Sequence, residues 1–159
     1  LAPVTVSSGN LGVQTLWEDT ELALRRHAGT GDPSVLVLAP VSTPPSARVE
    51  ARLRRSHAVG VDLDPSWAVM PLSLEMRDGC LTLSLDDPGG ELLAERIGRP
   101  GTTAELLRLA LGLAASVRKM HERRLVHKDI RPSNVFVDVG SRELRLTGFG
   151  ISSPLPPFD

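Results

Sequence analysis

The sequence predicts an α+β fold in which five strands and one helix come first and a long helix with a short two-stranded hairpin follows. Three observations predict it. Before residue 87, five short segments alternate apolar and polar residues or run continuously apolar, and turn-forming residues separate them. Between the third and fourth of these, Ser46 to Val59 carries apolar residues at helical spacing. After the cluster Asp86-Asp87-Pro88-Gly89-Gly90, Thr102-Thr103-Ala104-Glu105 is a capping-box pattern that opens a helix to about Glu122.

Val13 to Glu18 and Glu21 to Arg26 are close to alternation, and Glu18-Asp19-Thr20 makes them a hairpin. Gly29-Thr30-Gly31-Asp32-Pro33-Ser34 is a second turn, and the continuous run Val35-Leu36-Val37-Leu38-Ala39 suits a central strand. In the first helix Ser46 can act as N-cap, Glu50 lies near the end that favours negative charge, and Val49, Leu53 and Ser56 or His57 share a face. Ala68 to Met76 and Cys80 to Leu85 form another hairpin across Arg77-Asp78-Gly79. The expected division is a lead-in over 1–12, the strand-rich unit over 13–86, a hinge over 87–90 and a helical unit beginning at 91 and running to 159. Glu91 to Ile97 reads as a short helix. The helix after Thr102 is expected to be largely buried, because Leu106, Leu107, Leu109, Leu111, Leu113, Val117 and Met120 cover more than one face.

A formal net charge of -1 shows no basic excess of the kind that marks nucleic-acid binding. Arg52, Arg54 and Arg55 read as a solvated helix face. Cys80 is alone, which excludes an intramolecular disulfide and a thiol-rich metal site, and its apolar run suggests a buried thiol. Leu106 to Val117 is interrupted by Arg108 and is too short to span a bilayer, and no signal-peptide pattern opens the sequence. The expectation is a soluble cytoplasmic protein with no membrane segment in this stretch.

The informative stretch is LVHKDIRPSNVFVDVGSRELRLTGFG, Leu125 to Gly150. His127-Lys128-Asp129 enters a polar turn, Asn134 leads into the alternating strand Val135-Phe136-Val137, and Leu144-Arg145-Leu146 returns to Thr147-Gly148-Phe149-Gly150. An acid and an amide five positions apart at the mouth of a hairpin suit phosphoryl transfer, since the acid can orient a hydroxyl nucleophile while the amide oxygen ligates Mg²⁺.

Here the chain resembles the protein kinase superfamily, whose catalytic loop reads H-R-D-x-x-x-x-N and leads through a strand pair to D-F-G. The resemblance implies a five-stranded antiparallel small lobe with one helix and the first, truncated part of a helical large lobe. It also implies that Asp129 is the base or positioning group, that His127 supports the loop, that Arg131 contacts phosphate and that Asn134 binds metal. Adenine would meet the hinge around Asp86, Asp87 and Gly89. Short for a complete two-lobed kinase and beginning without Met, the chain reads as part of something longer.

Several parts depart from the pattern. Leu16 to His27 hold no glycine, so the glycine-rich loop over the phosphates is absent. The small-lobe Lys position falls on Leu38, its helix Glu partner on Ser56, and the metal-binding Asp on Gly148. Replacing both members of the Lys–Glu pair leaves no unpaired buried charge. Ordinary turnover is not expected, and ATP with Mg²⁺ is implied by resemblance alone. The segments Val35 to Pro40, Leu63 to Leu72, Asp87 to Glu91, His127 to Asn134 and Leu146 to Ile151 resemble the N-terminal kinase-like domain of large bacterial sensor proteins that join it to an AAA-type ATPase, a GAF domain and a histidine kinase. Its partners would then be the downstream signalling domains of the same longer chain. The leading expectation is a pseudokinase-like regulatory domain. The alternatives are a divergent active serine/threonine kinase, with Asp138 as a displaced metal acid, and a small-molecule phosphotransferase.

Overall fold

The computed structural model describes residues 12–28, 33–138, 140–141 and 143–156. The lead-in, apart from residue 12, and most of the turn at 29–34 lie outside the described residues.

Alternating and continuous apolar segments pair as their patterns require. Strands β1 (Val13–Glu18), β2 (Leu22–His27), β3 (Val35–Pro40), β4 (Pro71–Arg77) and β5 (Cys80–Asp86) form one antiparallel sheet in the order β1-β2-β3-β5-β4. The most apolar strand, β3, is central. Helix α1 (Ala47–Ala58) packs on this sheet through Val49 and Leu53, and the Ser46 hydroxyl accepts from the Val49 N–H at its start. Ser56 is buried, whereas His57 faces solvent.

The second part begins after 87–90, the stretch expected to be a hinge, which joins β5 to the next strand. Glu91–Leu92 form strand β6 and Leu93–Arg96 a single helical turn, α2, where one short helix was expected over Glu91 to Ile97. The difference follows from pairing: β6 hydrogen-bonds to β8 (Val135–Val137), with Glu91 opposite Val137 and Leu92 opposite Phe136, and β8 pairs in turn with β9 (Leu144–Leu146). Helix α3 (Thr103–Glu122) begins with the predicted capping box, Thr102 accepting from the Glu105 N–H and Glu105 accepting from the Thr102 N–H. It is not largely buried. Among its residues only Ser116 and Met120 are fully covered, because packing on β7 (Leu125–Val126) and β9 uses one face, while Leu106, Leu107 and Leu111 stand exposed. A last strand, β10 (Ser153–Pro154), pairs with β7.

Two apolar cores result, and β8 divides them. Its period of two sends Val135 and Val137 into a core with Trp67, Met120 and Phe149, and sends Phe136 across into the core of the five-stranded sheet with Leu24, Leu36 and Leu83. Trp67 to Val69 bind the same hairpin, the Leu146 N–H donating to the Trp67 carbonyl and the Val69 N–H to the Leu146 carbonyl. Two further expectations change. Cys80 is half-buried beside the Thr43 hydroxyl at 3.3 Å. Of the three helix arginines Arg54 and Arg55 are exposed, Arg55 also donating to the Ser152 carbonyl, whereas Arg52 is half-buried and pairs with Glu21. No helix among the described residues is long and apolar enough to cross a membrane.

Candidate functional site

The loop between β7 and β8 is held by hydrogen bonds that the residue types dictate. His127 is 1% exposed. Its Nδ1 accepts from the Asp129 N–H at 3.1 Å, so the proton sits on Nε2, which lies 2.7 Å from the Thr147 carbonyl. Burial pushes its proton affinity down, and the Thr147 carbonyl and Asp129 offset this only in part. A neutral ring packed 4.6 Å from Phe149 braces the loop.

Asn134, at the end of a 3₁₀ turn over Pro132–Asn134, is also 1% exposed. Its Nδ2 donates to the Asp129 carbonyl at 2.9 Å and to Asp129 Oδ2 at 3.0 Å. The acid and the amide are thus brought together as expected. Arg131 lies 3.6 Å from the same Oδ2, but its guanidinium is set over the Trp17 ring, 5.7 Å from the centroid.

These side chains line a cleft with Trp17, Leu22, Leu38, Arg52, Leu53, Ser56, Gly148 and Gly150. Leu38 is buried, so the position expected to carry a cation presents an apolar wall. Ser56 and Arg52 of α1 press against Gly150, where an added Cβ would stand 3.2 Å from Arg52 and 3.3 Å from the Ser56 hydroxyl. A small residue at 56 is what lets the helix approach so closely.

Mg²⁺ does not fit the residues present. Gly148 has φ +83°, and a Cβ on it would stand 2.6–2.7 Å from the Asn134 amide group. The amide occupies the space from which a metal-binding carboxylate would project. Asn134 Oδ1 is buried without a partner, which leaves one amide oxygen and the Asp129 carboxylate as oxygen donors there. Among the described residues no group of three or more His, Cys, Asp or Glu is placed to hold a metal ion. Asp138 lies at the far end of β8, where its Oδ1 accepts from the Gly140 and Ser141 N–H groups as a turn cap; it is not placed beside Asn134 as a displaced metal acid.

At the hinge, the carboxylates turn inward to protein groups. Asp87 accepts from Arg26 at 2.7 and 3.0 Å, from the Ser34 hydroxyl at 2.7 Å and from the Gly89 N–H at 2.9 Å. Burial pushes the Asp87 carboxyl up, but these donors outweigh it and hold the group below its ordinary value. Asp86 accepts from the Met70 N–H, and its own N–H donates to the Met70 carbonyl; burial dominates there and raises its pKa. Arg26, held by Asp87 and the Gly90 carbonyl, sits 5.9 Å from the Phe136 ring centroid. Leu36 and Phe136 are buried, and a small cleft beside them is lined by Pro88, Gly89, Phe136, Asp138, Glu143 and Arg145. Trp17, Arg26 and Arg52 were not singled out from the sequence as site residues. The available signal was an aromatic and two acids in the turn where glycines were sought.

The chain matches no protein-family model. It is similar to the serine/threonine-protein kinase ppk25 of Schizosaccharomyces pombe, 26% identical over 151 residues, which cover 94% of this chain and 34% of that one. It is also similar to the mitogen-activated protein kinase kinase mkk1 of Cytospora mali, 28% identical over 145 residues, 82% of this chain and 26% of that one. Serine/threonine-protein kinase PknF of Mycobacterium tuberculosis is 33% identical over 84 residues, 47% of this chain and 17% of that one. The chain therefore spans at most about a third of the length of these relatives.

Proposed function

We propose that this protein kinase-like chain is a regulatory, pseudokinase-type module with weak or no phosphoryl transfer. The observation that carries the reading is the filled metal position: the Asn134 amide occupies the space from which a carboxylate at 148 would project, and buried Leu38 stands where a phosphate-holding cation is expected. Phosphoryl transfer depends on positioning and charge stabilisation, and each preorganised contact is commonly worth about 3 kcal/mol, or two powers of ten in rate. The chain lacks the small-lobe Lys at Leu38, the helix Glu at Ser56, the metal-binding Asp at Gly148 and the glycines of a phosphate loop. The relatives are kinases by name, so ATP and Mg²⁺ belong to them; for this chain the donor set argues against both.

The motif combination supports a bacterial signalling protein in which the module passes its state to downstream domains of the same longer chain. A second reading, a divergent serine/threonine kinase, is favoured by one observation, the retained Asp129–Asn134 contact at 3.0 Å. The two part in a transfer assay. Protein incubated with Mg²⁺ and radiolabelled ATP, with and without a generic basic protein substrate, is expected to incorporate no more label than Asp129→Asn. Incorporation that Asp129→Asn abolishes would overturn the regulatory reading.

A further inference from the structure

The four buried side-chain polar atoms left without a hydrogen-bond partner among the described residues are Trp17 Nε1, Arg52 Nε, Arg131 Nε and Asn134 Oδ1, Arg131 Nε having only the longer ion pair to Asp129 Oδ2 at 3.6 Å, and all four residues line the one cleft. Three are donors, two of them on guanidinium groups. They come from three separate elements, β1, α1 and the loop before β8, so their convergence is a property of the tertiary fold. A buried donor without a hydrogen bond bears its desolvation cost uncompensated, which makes such a cluster a standing demand for an acceptor.

The β1–β2 hairpin meets part of that demand. The register of β1 against β2 slips between Thr15 and Trp17, so that Leu16 is the extra residue of a bulge and both Leu16 and Trp17 turn toward the core. Trp17 thereby covers Arg131, and the Glu21 carboxylate just before β2 takes Arg52 NH1 at 2.8 Å. Asp19, in the turn between them, accepts from the Glu21 and Leu22 N–H groups. Burial pushes its carboxyl up, but those bonds and the charges of Arg52 and Arg131 outweigh burial and lower it. Three carboxylates, Asp19, Glu21 and Asp129, therefore face two guanidiniums. In this arrangement a free anion is repelled.

We infer that the hairpin is a plug acting in cis, and that the Arg52–Arg131 pair beneath it is an oxyanion site which a phosphate-bearing ligand reaches when Glu21 releases Arg52. Asn134 Oδ1, the one acceptor in the cluster, suits the hydroxyl of a hydrogenphosphate. The inference rests on the reading that the cleft is closed to Mg-ATP; it adds an oxyanion ligand held without metal and names the element that excludes it. A ligand that binds only the released form shifts the population toward it, which makes the hairpin the moving part of a switch.

The test is titration of wild type, Glu21→Gln and Glu21→Gln/Arg52→Gln with inorganic phosphate at constant ionic strength, chloride being the control anion. Amide exchange across Val13–Glu18 is read in parallel. Glu21→Gln removes one of three opposing charges, and its affinity for phosphate is expected to rise about tenfold or more over wild type. The gain should vanish in the double variant, and the hairpin amides should exchange faster in Glu21→Gln alone. Equal phosphate binding by wild type and Glu21→Gln, binding that survives Arg52→Gln, or unchanged exchange in the hairpin would each overturn the inference. Mg-ATP binding with transfer by wild type is a different outcome: it overturns the proposed function and leaves the phosphate comparison to be judged on its own.

Discussion

Restoring the missing carboxylate by Gly148→Asp should weaken the protein without giving it a metal site. The residue at 148 has φ +83°, a conformation that costs an L-residue about 1 kcal/mol or somewhat more. A Cβ there meets the Asn134 amide at 2.6–2.7 Å, so the amide has to swing away. Swinging it breaks the bond from Asn134 Nδ2 to the Asp129 carboxylate, worth about 1.5–3 kcal/mol, and the bond to the Asp129 carbonyl, worth about 1 kcal/mol. The sum is about 4 kcal/mol, which in urea corresponds to a midpoint lowered by about 2 M. Gly148→Ala keeps the backbone and steric components without the charge and should account for most of the loss. Unfolding curves for the three proteins, repeated with Mg-ATP, are the assay. A Gly148→Asp protein within about 1 kcal/mol of wild type that gains Mg²⁺-dependent stabilisation by ATP would refute the reasoning.

Four further outcomes follow from the same geometry. Phe136→Ala removes a ring that is 1% exposed and shared between the sheet core and the hinge, and should cost about 3–5 kcal/mol in chemical denaturation. Arg26→Ala leaves the Asp87 carboxylate, 2% exposed, with only Ser34 and the Gly89 N–H, and should cost about 3 kcal/mol at pH 7. That loss should shrink as pH falls through the depressed folded pKa of Asp87, because stability from a lowered carboxyl is present above the unfolded value and disappears in acid. His127 has its folded pKa below the ordinary 6.5, so below about that pH the unfolded chain takes up a proton the folded chain refuses. Stability should then fall with pH by up to about 1.4 kcal/mol per unit, and His127→Gln should flatten the slope by one proton's share, measured by urea midpoints between neutral pH and about pH 5. Thr102→Ala removes one half of the capping box and should cost about 1 kcal/mol, with the loss confined to α3 in amide exchange.

What the sequence made legible was set by period and by turn chemistry. The alternation of Val13–Glu18, Leu144–Leu146 and their partners, the cap at Ser46 and the box at Thr102 are local signals, and each element formed where its own residues required. The HxD-to-Asn spacing was legible for the same reason: five residues across one loop brought Asp129 and Asn134 into contact. The rest depended on pairings distant in sequence. Arg26 looked like an ordinary strand residue, yet it meets Asp87, sixty-one positions on. Arg52 looked like part of a solvated face until β2 brought Glu21 to it. The burial expected for α3 failed because apolar coverage says which faces can be covered, while the contacts with β7 and β9 decide which face is. The alternation of Val135-Phe136-Val137 was plain, but that its two sides feed two different cores follows only once β6 and β8 pair. Gly148 was recognised as a lost acid, whereas the Asn134 amide filling the vacated space is a fact of packing.

Calorimetric titration of the protein with ATP, in the presence and absence of Mg²⁺, tests the filled metal position most directly. The account predicts no saturable heat at millimolar nucleotide and no difference between the two titrations. A Mg²⁺-dependent binding isotherm that Asn134→Ala abolishes would contradict it.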